Sequence, residues 1–441
     1  MSKTWLFYDV ESSDLNKVFG QVMQFAAVRT DEAFNELETH SFYVKLNRDV
    51  LPNPDAVMVH GISPYIANTG YSEPEAMEII HRLVNEPGTW NGGYNTLGYD
   101  DEVLRFGFYR NFLSPYTHGF AQQCRRFDLF PLVMFFYVDG YEGLEWPIID
   151  GKVSFKLEHL NAANQWVEGA AHDALVDVRV CVALAKNLAQ DQKRFNRALN
   201  ILAAKDAPSD NRATYLSARL GHQQQFMAPI KWLGAHQTMG NTSFWLNLNR
   251  VDFAQDGLDQ SAVLRKKKMD TALILPERPA LFEAPRVIDN LAWLEDHPDA
   301  LKSLKETVCT ATFDEIEDID IDAGLYQHGF FTDQENVLMA NLSALPKTKW
   351  LESLSKSQRL YQMMLKWLWR HAWDVLEPNE LAKALCLVLN PGVDYQGAKR
   401  VDFETQLQRI NELHTMLEDD SKRMALLKDL SQYYQNYLSL F

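Results

Sequence analysis

Thr4-Trp5-Leu6-Phe7-Tyr8-Asp9-Val10-Glu11 is an apolar run that ends in two acids, and it reads as a buried strand with carboxylates at its exit. Asp9 and Glu11 are two residues apart, so on a strand they point to the same face and both reach one cation at the carboxyl end. Outward from it, Met23-Gln24-Phe25-Ala26-Ala27-Val28-Arg29-Thr30 and Ser41-Phe42-Tyr43-Val44-Lys45-Leu46 read as the next strands. Three strands in succession predict an antiparallel start to a mixed sheet. Helical periodicity follows at Ser72 to Val84, where Ser72-Glu73-Pro74-Glu75 supplies a cap, at Tyr99 to Phe112, and at Asp173 to Asn187. Residues 1–190 therefore read as an α/β domain, a mixed sheet flanked by helices.

The chain has 441 residues, 46% of them apolar, which favours a globular protein of two or three domains. The polar stretch Lys205-Asp206-Ala207-Pro208-Ser209-Asp210-Asn211 opens a second unit, 191–322, with strand-like runs at Phe226 to Trp232, Ser243 to Leu248 and Thr271 to Leu275, as in a small barrel. Residues 323–441 turn to long amphipathic patterns at Leu351 to Trp373, Asn379 to Leu389 and Phe403 to Leu438, predicting a helical bundle. No uninterrupted apolar run approaches the roughly 18 residues of a membrane span, and no signal-peptide core precedes the first strand, so a cytoplasmic protein without membrane contact is expected. Cys124, Cys181, Cys309 and Cys386 are far apart, as reduced thiols would be. A net charge of −16 argues against coating of duplex DNA by a broad basic surface. Part of the acid is concentrated in Asp314-Glu315-Ile316-Glu317-Asp318-Ile319-Asp320-Ile321-Asp322, which could lie away from any substrate.

The chemistry rests on five residues: Asp9, Glu11, Asp100, His172 and Asp177. Hard cations such as Mg²⁺ and Mn²⁺ take oxygen ligands and keep waters, so a few carboxylates and a substrate phosphate suffice for a site. Asp100 follows the glycine-rich turn Asn91-Gly92-Gly93-Tyr94-Asn95, where backbone can pass close to other groups, and stands in the first turn of a helix. On one continuous helix His172 and Asp177 would be about 140° apart. The better arrangement has His172 on the preceding loop, Asp173 at the cap and Asp177 a turn inside. Asp9, Glu11 and Asp177 are then expected to hold the metal that activates water, and Asp9 with Asp100 to hold a second at the leaving oxygen. His172 would take the water's proton. The expected product is a nucleoside 5′-monophosphate released from a 3′ end.

The Asp-x-Glu, Asn-x3-Tyr-Asp and His-x4-Asp patterns resemble the histidine subclass of the DEDD exonucleases. Gln24-Phe25-Ala26-Ala27, Tyr99-Asp100-Asp101-Glu102-Val103, Ser154-Phe155-Lys156-Leu157-Glu158-His159-Leu160, Gly240-Asn241-Thr242-Ser243 and Leu325-Tyr326 extend the resemblance to the bacterial exonuclease I family along the whole chain. That resemblance implies an RNase H-like exonuclease domain, an SH3-like barrel domain and a C-terminal helical domain enclosing a single DNA strand. It implies a processive 3′-to-5′ exodeoxyribonuclease of DNA repair with two Mg²⁺ ions, Mn²⁺ being an alternative, acting as a monomer. It also implies a partner, the acidic tail of single-stranded DNA-binding protein. The sequence departs from the family at Ser12-Ser13-Asp14, where Thr-Phe-Gly is usual, and at Asp139, where a basic residue is common.

A single strand is held by cations along its backbone and by aromatic faces under its bases. Lys156, Arg126, Ser12 and Trp245 are the candidate DNA contacts, and Arg265-Lys266-Lys267-Lys268 is the densest basic run. Two other readings stay open: an RNA-trimming exonuclease, since the five residues do not exclude a 2′-hydroxyl, and a catalytically silent single-strand-binding scaffold.

Overall fold

The structure, a computed structural model, describes residues 3–169, 173–204, 211–312 and 314–437. Its first unit is built on a five-stranded sheet in the order β3-β2-β1-β4-β5, from β1 (Thr4–Ser12), β2 (Val22–Thr30), β3 (Glu36–Tyr43), β4 (Thr89–Gly92) and β5 (Arg125–Arg126). The first three strands pair antiparallel, whereas β4 joins β1, and β5 joins β4, in parallel. This is the mixed sheet the sequence predicts.

The alternation of β1 sorts two cores. Trp5 and Phe7, with Ala26 and Val28 of β2, face the helices Leu129–Val138, Ala174–Leu188 and Gln192–Ala203. Leu6, Tyr8 and Val10, with Phe25 and Ala27, face the helices Glu73–Val84 and Asp100–Arg110. By the same period of two, Asp9 and Glu11 continue the Trp5 and Phe7 face toward the helix that carries Asp177. A short hairpin, β6 (Ile148–Ile149) and β7 (Lys152–Val153), follows at the surface.

The second unit contains β8 (Arg212–Leu216), β9 (Met227–Ala235), β10 (Thr242–Asn247), β11 (Val263–Lys267) and β12 (Leu273–Leu275), in the order β11-β10-β9-β8-β12. All neighbours pair antiparallel, and no ladder among the described residues joins β11 to β12. The sequence reading missed three helices here, Pro279–Phe282, Pro285–Asp296 and Pro298–Thr310, which cover Leu233, Phe244 and Leu246. Each begins on a proline whose fixed φ suits a first helical position, a signal present in the sequence.

The last unit is helical. Its two long patterns are each broken in two: Trp350–Leu354 and Gln358–His371, then Phe403–Met416 and Ser421–Tyr437. At the first break Ser357 caps the second helix by accepting from the Leu360 N–H. The acidic run also divides. Asp320 and Asp322 are buried against Lys366 and Arg370, with Lys366 Nζ 2.9 Å from a carboxylate oxygen of each. Arg370 reaches further, to both oxygens of Asp49 in the first unit at 2.8 and 2.6 Å. Around this cluster Val18, Phe19, Phe106 and Tyr109 of the first unit share a core with Leu360, Met364 and Leu368, while Val57 packs against Ile410, Leu413 and Leu430. Cys124, Cys181 and Cys309 are buried, Cys386 is exposed, and all four are free thiols. No described helix is long and apolar enough to cross a membrane.

Candidate active site

β4 pairs with β1 only as far as Phe7 opposite Gly92, so the last residues of β1 run on past the end of their parallel neighbour. This is the crevice at the carboxyl end of a parallel pair where α/β sheets bind ligands. After Gly92 the chain folds back over β1 and starts the helix Asp100–Arg110. The Val10 N–H, left without a partner in β4, donates to Asp100 Oδ1 at 2.9 Å. The turn requires its glycines: a Cβ on Gly93 would lie 2.4 Å from the Tyr8 carbonyl oxygen, and one on Gly92 2.3 Å from that of Phe127. On the other face Asp173 caps the helix Ala174–Leu188 by accepting from the Leu175 N–H at 3.0 Å, and Asp177 stands in its first turn. His172 lies outside the described residues.

Electrostatics joins the four acids. Burial pushes the Asp9 and Glu11 carboxyls well above the usual range, and repulsion adds to it, from Asp177 on Asp9 and from Asp9, Asp177 and Asp173 on Glu11. Asp100 rises through burial first and the charge of Asp9 second, against the backbone N–H groups it accepts. Buried carboxylates that repel one another are relieved by a hard cation, so this donor set fits divalent metal. Among the described residues no three such side chains converge into a metal cage.

Three of the expected DNA contacts have partners within the fold. Arg126 is paired with Asp101, a buried carboxylate that also meets Arg105, His118 and the Tyr8 hydroxyl. Its guanidinium neutralises the neighbour of Asp100 through one nitrogen, Nη1. Ser12 is buried; its hydroxyl donates to the Asp14 carbonyl at 2.9 Å and meets the Tyr99 hydroxyl, bracing the loop after Glu11. Trp245, 1% exposed, stacks edge-on with Trp232 inside the second unit and donates its indole N–H to Ser243 Oγ. Lys156 is exposed, and the preceding Phe155 carbonyl accepts from Tyr94 in the loop that leads to Asp100.

Sequence reasoning missed Asp128. It is fully buried, caps the helix Leu129–Val138, and accepts from Asn95 N–H at 2.8 Å and Leu97 N–H at 3.0 Å, so it shapes the turn before Asp100. Burial pushes its carboxyl up to about 7 against these three backbone donors. The signal was an Asp directly before an apolar helical run. Arg265, Lys266 and Lys267 of the basic run lie on the edge strand β11: Lys267 is within electrostatic reach of Glu102 and Lys17, and Arg265 within reach of Tyr395. Cations of the second unit thus approach both the first and the last.

Known proteins share this fold. A family model for exonucleases matches residues 6–185, and one for the exonuclease I C-terminal domain matches residues 319–437. Haemophilus influenzae exodeoxyribonuclease I is 30% identical over 477 aligned residues, covering 98% of this chain and 98% of its own. The crystal structure of Escherichia coli exonuclease I in complex with a dA16 oligonucleotide superposes with a TM-score of 0.86 at 26% identity, covering 99% of this chain and 100% of that one. A structure of SSB/exonuclease I in complex with the inhibitor CFAM gives 0.83 and 26% over the same shares. With identity sustained from end to end over a common fold, the chain belongs to the exodeoxyribonuclease I family.

Proposed function

We propose that the protein removes nucleotides from the 3′ end of single-stranded DNA as nucleoside 5′-monophosphates, with Mg²⁺ as its metal. The observation that carries the reading is the group of four mutually repelling acids at the open end of β1. Asp9, Glu11 and Asp177 would hold one divalent cation, and Asp9 with Asp100 the second. Bound there, the cations supply a water of lowered pKa and charge stabilisation at the leaving oxygen. His172 would take the proton of the attacking water as the P–O3′ bond breaks, which would leave a 3′-hydroxyl on the shortened strand. Lys17, Arg265, Lys267 and Lys156 would be the backbone contacts of this reading. The exonuclease I relatives solved with an oligonucleotide and with SSB support single-stranded DNA and single-stranded DNA-binding protein as ligands; contact through that protein's acidic tail, a monomeric state and a cytoplasmic location belong to the proposal itself.

Incubated with Mg²⁺, a 3′-labelled single strand should release labelled mononucleotide from the first turnover, while the same strand in duplex or as RNA persists. Loss of RNA at an equal rate would move the substrate, and an intact single strand under every divalent metal would sink the reading. Gly93 offers a second test. Gly93→Ala forces the Tyr8 carbonyl away, and a displacement near 1 Å at a reacting centre costs about a hundredfold. The variant should lose roughly that factor in kcat with little change in KM.

A further inference from the structure

We infer that the C-terminal helical unit positions the catalytic centre through Asp394, a residue distant in sequence from every candidate ligand. The inference rests on the exonuclease reading above. The segment that leaves β1 is tied to itself and to the approach to Asp100. Asn16 N–H donates to Asp14 Oδ1 at 3.1 Å, and Val18 N–H to Asn16 Oδ1 at 2.9 Å. The Tyr99 hydroxyl donates to the Asp14 carbonyl, and Lys17 Nζ to the Gly98 carbonyl at 3.1 Å. One group of Asn16 remains, its amide Nδ2, and it donates to Asp394 Oδ2 at 2.9 Å.

Asp394 is built to receive it. The side chain is 3% exposed, and its other oxygen accepts the backbone N–H groups of Gln396 at 2.8 Å and Ala398 at 2.9 Å, closing a tight turn. The same turn reaches the other side of the centre. Tyr395 stacks on Phe106, with centroids 6.2 Å apart and planes 6° from parallel, and meets Tyr326 edge-on; the Tyr326 hydroxyl donates to Glu102. Glu102 and Phe106 stand on the helix that Asp100 begins. Arg400 lies over the Phe19 ring at 4.5 Å. The C-terminal unit therefore grips both the loop that follows Glu11 and the helix that presents Asp100, and these two segments set the distance between ligands held by Asp9, Glu11 and Asp100.

A structural tether and a positioning residue differ in what they change. A tether alone lowers the melting temperature and leaves the folded enzyme's kcat intact. Positioning lowers kcat even on a trinucleotide, whose few contacts make grip on a long strand irrelevant. Asp394→Ala is expected to lower kcat on a saturating trinucleotide about tenfold, the lower end of what oriented supporting groups contribute, with KM changed less than about twofold. Asp394→Asn sets two amide donors against each other and should lose as much. Asn16→Asp combined with Asp394→Asn restores one donor facing one acceptor, keeps the Val18 N–H acceptor, and should recover most of the rate. Wild-type kcat in Asp394→Ala, or a loss that the double variant leaves unrelieved, would overturn the inference. A wild-type protein inert on short and long strands alike would instead overturn the exonuclease reading beneath it.

Discussion

An Asp9→Asn protein is expected to degrade single-stranded DNA at least about a thousandfold more slowly than the parent, because losing several kcal/mol of metal-derived stabilisation costs tenfold per 1.36 kcal/mol. In metal-free buffer the same protein should melt no lower than the parent. Asp9 is half-buried on the face of β1 that meets the Asp177 helix, and its carboxyl is raised by desolvation and by Asp177. An amide of equal size removes that repulsion while β1 keeps its ladder to β2. Added Mg²⁺ should then stabilise the parent more than the variant. A calorimetric scan with and without metal, beside a single-turnover assay, reads both effects. Retained activity would remove Asp9 from the metal site, and a collapsed melting transition would make its role structural.

The largest loss of stability is expected from Arg370→Ala. Arg370 is buried between Asp49 and Asp322, and truncating one member of such a pair leaves uncompensated charge at a cost of about 3–5 kcal/mol. Burial alone would push both carboxyls up, but the Arg370 guanidinium, with Lys366 and Arg400 behind it, holds them well below the usual carboxylate range. A depressed folded pKa contributes stability that is fully present above the unfolded value near about 4. It is lost as pH falls through the depressed values. Without Arg370 the cause of the depression goes and burial dominates, so this contribution shrinks or reverses. Urea unfolding midpoints for the parent should keep this contribution from pH 7 to about pH 4 and lose it progressively below, whereas Arg370→Ala starts low and loses less over that acid range. A variant as stable as the parent at pH 7 would contradict this account.

The sequence was informative wherever a local rule acted alone. Alternation along β1 placed Asp9 and Glu11 on one face, and the cap at Asp173 set Asp177 in a first turn, because both depend on neighbours within a few residues. Partners from afar were invisible. Arg126, on a strand, looked like a free cation until Asp101, from a helix, paired with it, and Trp245 in a strand has the same local pattern whether its ring faces solvent or Trp232. Length misled in the last unit, where periodicity runs through Ser357 but the backbone stops there to be capped. The three helices after β12 were announced by Pro279, Pro285 and Pro298, residues that read as turns when strands are expected.

Val18, Phe19, Phe106 and Tyr109 are covered by helices that lie more than two hundred residues later in the chain. Synthesis proceeds at about 5–20 residues per second, so this apolar face of the first unit waits on the order of tens of seconds for its cover to be made. Through that interval the nascent nuclease is unfinished: its sheet can form, but an open hydrophobic surface invites chaperones and mispairing. The interval ends only when the helix Gln358–His371 and its neighbours leave the ribosome and close over it.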